Sequence, residues 1–273
     1  MNVTDFYDRH PINEQQALAA IARRRGTAAG PLKPEDLFDY DQDHYGGLAA
    51  VETLARRAAI GAASRVLDVC AGLGGPARFL VSRFGCRVVA LELNQGRAAG
   101  SCRLTRLVGL AGRVLVLRGD ATALPLASAR FDACLSQEAL LHVEDKAAVL
   151  RECRRVLVLG GRLAFTDWIA YPRLDDRERE RLREWTAATT LQTLDGYRRL
   201  LGRAGFGAVE AEDVSEQWRP VLRARVDMYR ALRADTVTRF GERWYHDYQQ
   251  LYAFFLGLVE AGKLGGGRFT ATR

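Results

Sequence analysis

The sequence predicts an α/β fold: a doubly wound, mostly parallel sheet of seven strands carrying a helical cap. Three observations predict it. The apolar run Val66-Leu67-Asp68-Val69 ends in Cys70-Ala71-Gly72-Leu73-Gly74-Gly75-Pro76, and a helical pattern follows. Between residues 65 and 167 short apolar runs alternate with helical segments, the rhythm of parallel strands joined by crossover helices. The strands are continuously apolar, as burial on both faces requires.

The elements follow in order. Asn13 to Arg25 reads as a helix after Pro11, and Gly26 to Pro34 as a loop. Asp39 to Gly47 is a polar, aromatic turn, and a helix runs from about Leu48 to Ala59. Strands are predicted at Arg65–Cys70, Arg87–Leu91, Val114–Leu117 and Phe131–Leu135, with helices at Gly75–Phe84, Gln95–Val108 and Asp145–Val156. Gly160-Gly161 turns into a fifth strand, Arg162–Thr166. Asp175–Thr189 is a charged amphipathic helix that looks inserted, and Thr193–Ala204 is a helix closed by Gly205. Ala208–Ala211 is the sixth strand. Ser215 to about Gly262 is helical and rich in aromatic residues. Gly265-Gly266-Gly267 then precedes a seventh, Arg268–Thr272. The expected organisation is a lid segment (residues 1–62), an α/β core (63–214, with a cap insertion at 170–192), a helical cap insertion (215–264) and a final core strand (265–273).

Composition narrows the function. The 273 residues carry 40 Lys and Arg against 33 Asp and Glu, a net charge of +7. The excess is almost all arginine; Lys33, Lys146 and Lys263 are the only lysines. Basic blocks such as Arg23-Arg24-Arg25 are short, and acids interrupt the charged run Arg173 to Glu184. Aromatic residues do not interleave with them, so a solvated helix face is expected rather than a nucleic-acid surface. The excess charge also suits an anionic substrate. No apolar run approaches the roughly 18 residues of a membrane span. Met1 to Asp5 has no signal pattern. The five cysteines include no C-x-x-C pair, which points to free thiols in a reducing cytoplasm. The four histidines lack metal-ligand spacing, and no metal is expected.

The glycine-rich turn points to a nucleotide-like ligand. Glycine lets the backbone turn sharply and lets a ligand approach it. Gly72 to Ala77 fits G-x-G-x-x-G/A, and Glu92 stands where an acid grips a ribose diol, so a nicotinamide-dependent oxidoreductase is a rival reading. The wider pattern favours S-adenosylmethionine. The sheet begins only after some sixty residues, and Asp68 lies within the first strand. The third strand leads to Gly119-Asp120-Ala121-Thr122-Ala123-Leu124-Pro125, an acid placed to face adenine. The fourth ends at Ser136-Gln137-Glu138, and Arg155 to Arg162 leads into the fifth.

With these motifs the sequence resembles the class I S-adenosylmethionine-dependent methyltransferases, whose fold is Rossmann-like. Val66–Gly75 resembles V-L-D-x-G-x-G-x-G, and Arg155–Arg162 resembles R-V-L-K-P-G-G-x. A closer likeness is to the glycine, sarcosine and dimethylglycine N-methyltransferases. Ser136-Gln137-Glu138-Ala139-Leu140-Leu141-His142 is similar to their S-Q-D-A-x-x-H, and His44-Tyr45-Gly46-Gly47 to their H-x-G-G. Cys70 departs from the usual glycine, Val158-Leu159 from Lys-Pro, and Glu138 from the usual aspartate.

The resemblance implies methyl transfer from S-adenosylmethionine, leaving S-adenosylhomocysteine, to a small molecule. An amine nitrogen is the leading acceptor. An oxygen or carbon acceptor of a natural-product pathway is the alternative, and a non-catalytic adenosyl-ligand binding protein is another. Donor-binding candidates are His44, Tyr45, Gly46, Asp68, Ala71, Gly72, Gly74, Glu92, Leu93, Asp120, Ala121 and Gln137. His142 is the candidate general base and Tyr45 a second catalytic candidate that closes over the methyl donor; Tyr7 and Tyr40 are lesser lid residues. The only expected partner is the small-molecule acceptor, with neither nucleic acid nor membrane. Oligomeric state is open, a homodimer included.

Overall fold

A computed structural model describes residues 2–26 and 31–273. The loop expected over 26–34 therefore lies partly outside the described residues, as does Met1. Four helices precede the sheet: α1 (Val3–Asp8), α2 (Glu14–Arg25), α3 (Pro34–Leu37) and α4 (Gly47–Arg57). The Asn2 and Asn13 side chains cap α1 and α2, each accepting an N–H three residues on. Next come β1 (Arg65–Val69), α5 (Gly75–Phe84), β2 (Arg87–Glu92), α6 (Gln95–Leu107), β3 (Val114–Arg118) and β4 (Phe131–Gln137). After a 3₁₀ turn at Leu140–His142 follow α7 (Lys146–Val156), β5 (Leu157–Ala170), α8 (Asp176–Thr186), α9 (Leu194–Arg203) and β6 (Gly207–Asp213). The chain ends with α10 (Ser215–Ala231), α11 (Arg233–Phe240), α12 (Glu242–Glu260) and β7 (Leu264–Thr272).

The sheet has the order β3-β2-β1-β4-β5-β7-β6. The pairs from β3 to β5 are parallel, and β7 runs antiparallel to both β5 and β6. Alternation along β1 splits the core between the two faces. Val66 packs with Val51 and Leu54 of α4 and Leu80 of α5. Leu67 and Val69 face the opposite layer, with Leu150 of α7 and Leu201 of α9. Strand order reverses between β1 and β4, and in open α/β sheets that switch point opens a crevice beyond the strands' carboxyl ends.

Two strands differ from expectation. β5 begins at Leu157 and runs on to Ala170, because β7 pairs with it in unbroken register from Arg162↔Thr272 to Ala170↔Leu264. The Gly265–Gly267 triplet lies inside β7 instead of preceding it. The reason is space: a Cβ on Gly266 would run into the Trp218 ring. The long aromatic stretch is three helices, interrupted at Leu232 and Gly241. Its apolar faces cover the extended ends of β5 and β7, so Trp168, Trp218, Tyr252, Phe255 and Leu264 share a second core. Among the described residues no helix is long and apolar enough to cross a membrane.

Candidate functional site

The site begins with the turn after β1. Cys70, Gly72 and Gly74 all have positive φ (60°, 56° and 75°), so the chain coils tightly between β1 and α5. Cys70 holds this conformation without glycine's freedom, a strained choice for a side-chain-bearing residue. Across the loop stands Glu92, at the end of β2. Its two carboxylate oxygens accept the N–H groups of Gly72 (2.8 Å) and Asn94 (2.8 Å). One acid thus ties the glycine loop to the start of α6.

Beneath the loop the Arg78 guanidinium is fully buried. It donates to the Leu73 carbonyl (2.6 Å), to Thr105 Oγ1 (3.1 Å) and through two nitrogens to Asp41 Oδ2 (2.8 and 3.1 Å). This buried pair fastens the segment 41–46 to the loop; removing one partner would strand the other charge away from water. Asp43 makes a second knot. Arg97 of α6 donates to it (2.9 Å), and Arg225 of α10 lies at 3.4 Å while donating to the His44 carbonyl. His10, 3.6 Å away, and these two arginines hold the Asp43 carboxyl below the usual range despite its burial.

These elements line a cleft beyond the carboxyl ends of β1 and β4. Asp68, Ala71, Gly72, Glu92, Leu93, His44, Gln137 and His142 all line it, as expected. Val3, Thr4 and Tyr7 of α1 face into it as well. Among the described residues, Asp68 Oδ2 and Gln137 Nε2 of the lining are buried without a partner, and Glu138 Oε1 has only the Thr166 hydroxyl near it, outside good hydrogen-bond geometry. A buried polar group without a partner is costly, so these atoms mark places for a polar ligand. Two are acidic oxygens, which suits a ligand with cationic groups. Burial, with Glu92 nearby, pushes the Asp68 carboxyl up to about 7. Burial also pushes Glu138 up to about 7.

His142 ends the 3₁₀ turn after β4. Its Nδ1 donates to the Ala187 carbonyl (3.1 Å), which can only accept. The neutral ring must then leave Nε2 as acceptor, and the Tyr7 hydroxyl donates to it (3.0 Å). Burial lowers the His142 pKa to about 4, so the ring is neutral at pH 7. The Tyr7 ring also lies 4.7 Å from the Arg97 guanidinium.

Five expected residues lie outside this lining. Gly74 faces Ser101, where a Cβ would collide, so its small size serves the contact of α5 with α6. Gly46 caps α4 at φ 84°. The Tyr45 ring is buried against Trp168 and Trp218 (5.6 and 4.8 Å between centroids) and does not line the cleft. Its contribution is an N–H donated to Glu138 Oε2 (2.7 Å). Asp120 is exposed, and its Oδ1 accepts from Thr122 N and Oγ1 (2.8 Å each), a local turn cap. Ala121 is buried with Leu91 and Leu124. Sequence reasoning missed Asn94, Arg97 and the Asp41 and Asp43 anchors, while Tyr7, a lesser lid residue in that reading, lines the cleft and bonds His142. The acid-rich turn 39–43 was the available signal. Its arginine partners are far away in sequence.

Comparison with known proteins agrees with this geometry. The family model described as methyltransferase domain matches residues 67–165. The chain is 35% identical over 177 residues to the methyltransferase GfsG of Streptomyces halstedii, covering 64% of each chain. It is 34% identical over 176 residues to the glycine/sarcosine/dimethylglycine N-methyltransferase of Actinopolyspora halophila, 64% of this chain but 31% of that protein. It is 30% identical to the 27-O-demethylrifamycin SV methyltransferase of Amycolatopsis mediterranei, over 67% of this chain and 68% of the relative. The first two are thus spanned only in part. In fold, the chain superimposes along its whole length on 60% of phosphoethanolamine N-methyltransferase 2 of Haemonchus contortus, solved with phosphomonomethylethanolamine and S-adenosylhomocysteine (TM-score 0.81, 18% identity). The dinucleotide reading of the Gly72–Ala77 turn gives way to this result. With the strand order, the glycine loop and these matches in agreement, the chain belongs to the class I S-adenosylmethionine-dependent methyltransferases.

Proposed function

We propose that this chain methylates an amine nitrogen of a small molecule. The observation that carries the reading is the Tyr7–His142 hydrogen bond beside the unpaired carboxylate oxygens of Asp68 and Glu138. S-adenosylmethionine, when bound, supplies a methyl group on a cationic sulfur with a neutral leaving group. The residues fit it: Glu92 for the ribose diol, the Gly72 backbone for close approach, and Asp68 for a cationic group.

The remaining work falls to the chain itself. An amine arrives as an ammonium ion and must lose a proton before its lone pair can attack. Ionised Glu138 attracts and orients that cation. The Tyr7 oxygen can accept an N–H while its own O–H points to His142 Nε2, so the proton has a path to a neutral imidazole. His142 then becomes an imidazolium, its Nδ1–H still held by Ala187. Closure by α1 excludes water and fixes the acceptor in line.

The test is calorimetric titration with S-adenosylhomocysteine, followed by a radiolabelled-methyl screen of primary, secondary and tertiary amines beside phenols and alcohols. Micromolar binding and turnover restricted to amines are expected. Turnover confined to hydroxyl acceptors would replace nitrogen by oxygen. Tight binding with no turnover on any acceptor would favour a non-catalytic binding protein.

A further inference from the structure

We infer that a second, outer crevice, between α1, α8 and α12, receives the body of the acceptor, and that this body is ring-bearing and largely apolar. The inference rests on the methyl-transfer reading above and specifies its substrate. The crevice is walled by Phe6, Trp185, Trp244, Tyr248 and Leu251, with Arg9 beside them, and it is open to solvent on one side. Tyr248 and Leu251 are buried at its base, while Trp185 and Trp244 are only half-buried. Trp244 stacks on Tyr248 at 4.6 Å, presenting a continuous aromatic wall. Such a concave apolar surface on an arginine-rich exterior marks a binding site. The exposed Asp5 and Asp247 carboxylates stand at its mouth and add a polar rim.

The crevice is coupled to the reacting end of the molecule. Helix α1 is the partition: Tyr7 faces the donor cleft, and its neighbour Phe6 faces the crevice. Both rings lie beside His142, at 5.4 and 6.1 Å between centroids. No residue of α1 is buried, so the partition is thin; Asn94, which donates to the Thr4 carbonyl and to Asp8, and the Tyr7–His142 bond hold it in place. An acceptor whose rings fill the crevice brings its amine past Phe6 to the Tyr7–His142 pair. The Trp244–Tyr248 stack offers a face that a ring can cover and a small amine such as dimethylglycine cannot, so the crevice favours ring-bearing amines.

The probe is N-phenyl-1-naphthylamine, a neutral, ring-bearing amine that fluoresces in apolar surroundings and accepts energy from tryptophan. One equivalent should bind, with emission excited through tryptophan. Asp247→Trp fills the mouth without removing a buried contact, and it should weaken probe binding at least tenfold while leaving S-adenosylhomocysteine affinity unchanged. Trp244→Ala, checked for folding by circular dichroism, should weaken probe binding and lower the energy transfer to the share supplied by Trp185. Unchanged probe affinity in Asp247→Trp, or competitive displacement of the probe by S-adenosylhomocysteine, would overturn the assignment. Failure of the wild-type chain to bind S-adenosylhomocysteine would instead sink the donor reading and leave the probe result standing.

Discussion

The donor half and the cap half of this molecule are assembled by different means. The donor half takes its shape largely from main chain, a loop with three positive-φ residues, two N–H groups on Glu92 and strand ends brought together by parallel pairing, while the Asp41–Arg78 and Asp43–Arg97 side-chain pairs tie the lid segment to it. Most of it comes from the stretch between Asp68 and Gln137. The cap half is made of side chains from distant stretches. Its core combines Tyr45, Leu141, Trp168, Leu182, Trp218 and Phe255. A main-chain site tolerates changes in most side chains, whereas a side-chain site changes with each one. That division explains how one donor fold serves relatives named for different acceptors.

Cutting the tie between the halves should have the largest effect. Arg78→Ala leaves Asp41 buried without its partner and frees the Leu73 carbonyl. A loss of about 3–5 kcal/mol is expected, read as a lower midpoint in urea unfolding, together with weaker donor binding. A midpoint equal to wild type would show that segment 41–46 is held by other contacts.

Removing the proton relay should cost turnover far more than donor affinity, although Tyr7 and His142 line the same cleft. His142→Ala is expected to lower kcat about a hundredfold, within the usual range for a general base. S-adenosylhomocysteine affinity should stay unchanged by calorimetry. Tyr7→Phe should cost about tenfold, because it removes the relay but keeps the base. Equal losses in donor affinity would erase the distinction between the halves.

Titration separates the halves without mutation of the fold. Glu138 titrates at about 7, so its carboxylate is present above that pH and lost below it. With donor saturating, kcat/KM for an amine should fall as pH drops through 7, and Glu138→Gln should remove that limb. Burial pushes the Asp68 carboxyl to about 7 as well, and Asp68 lines the cleft proposed for the donor. Its protonation should appear in donor affinity, and Asp68→Asn should abolish that dependence. A single shared profile in both measurements would merge the two roles.

The smallest effect is expected at Cys70. Replacing it with glycine relieves a positive φ but removes a side chain packed on the core. Stability should change by less than about 1 kcal/mol, with donor binding intact. A large gain would mean that the strain in the loop is more costly than its packing is worth.

Legibility follows the same division. Gly72, Glu92, Asp68 and Gln137 were identifiable because each belongs to a local strand-end pattern, and the structure places all four in the cleft. Asp120 follows a local pattern too, yet its carboxylate is taken by Thr122, a competition decided over two residues. Tyr45 was expected over the donor because of its neighbours in sequence. Trp168 and Trp218, more than a hundred residues away, draw its ring into the cap instead.

By itself the sequence determined the fold class, the order of most strands and helices, and the donor loop, because backbone conformation and strand burial follow from nearby residue types. Tertiary structure alone decided the rest: the pairing of β7 along all of β5's outer half, the Asp41–Arg78 and Asp43–Arg97 anchors, and the meeting of Tyr7 with His142. These are contacts between groups 37, 54 and 135 residues apart, in the case of the three side-chain pairs. Periodicity and local propensity carry no information at that range. Only packing a particular set of surfaces into one volume brings such groups within hydrogen-bonding distance.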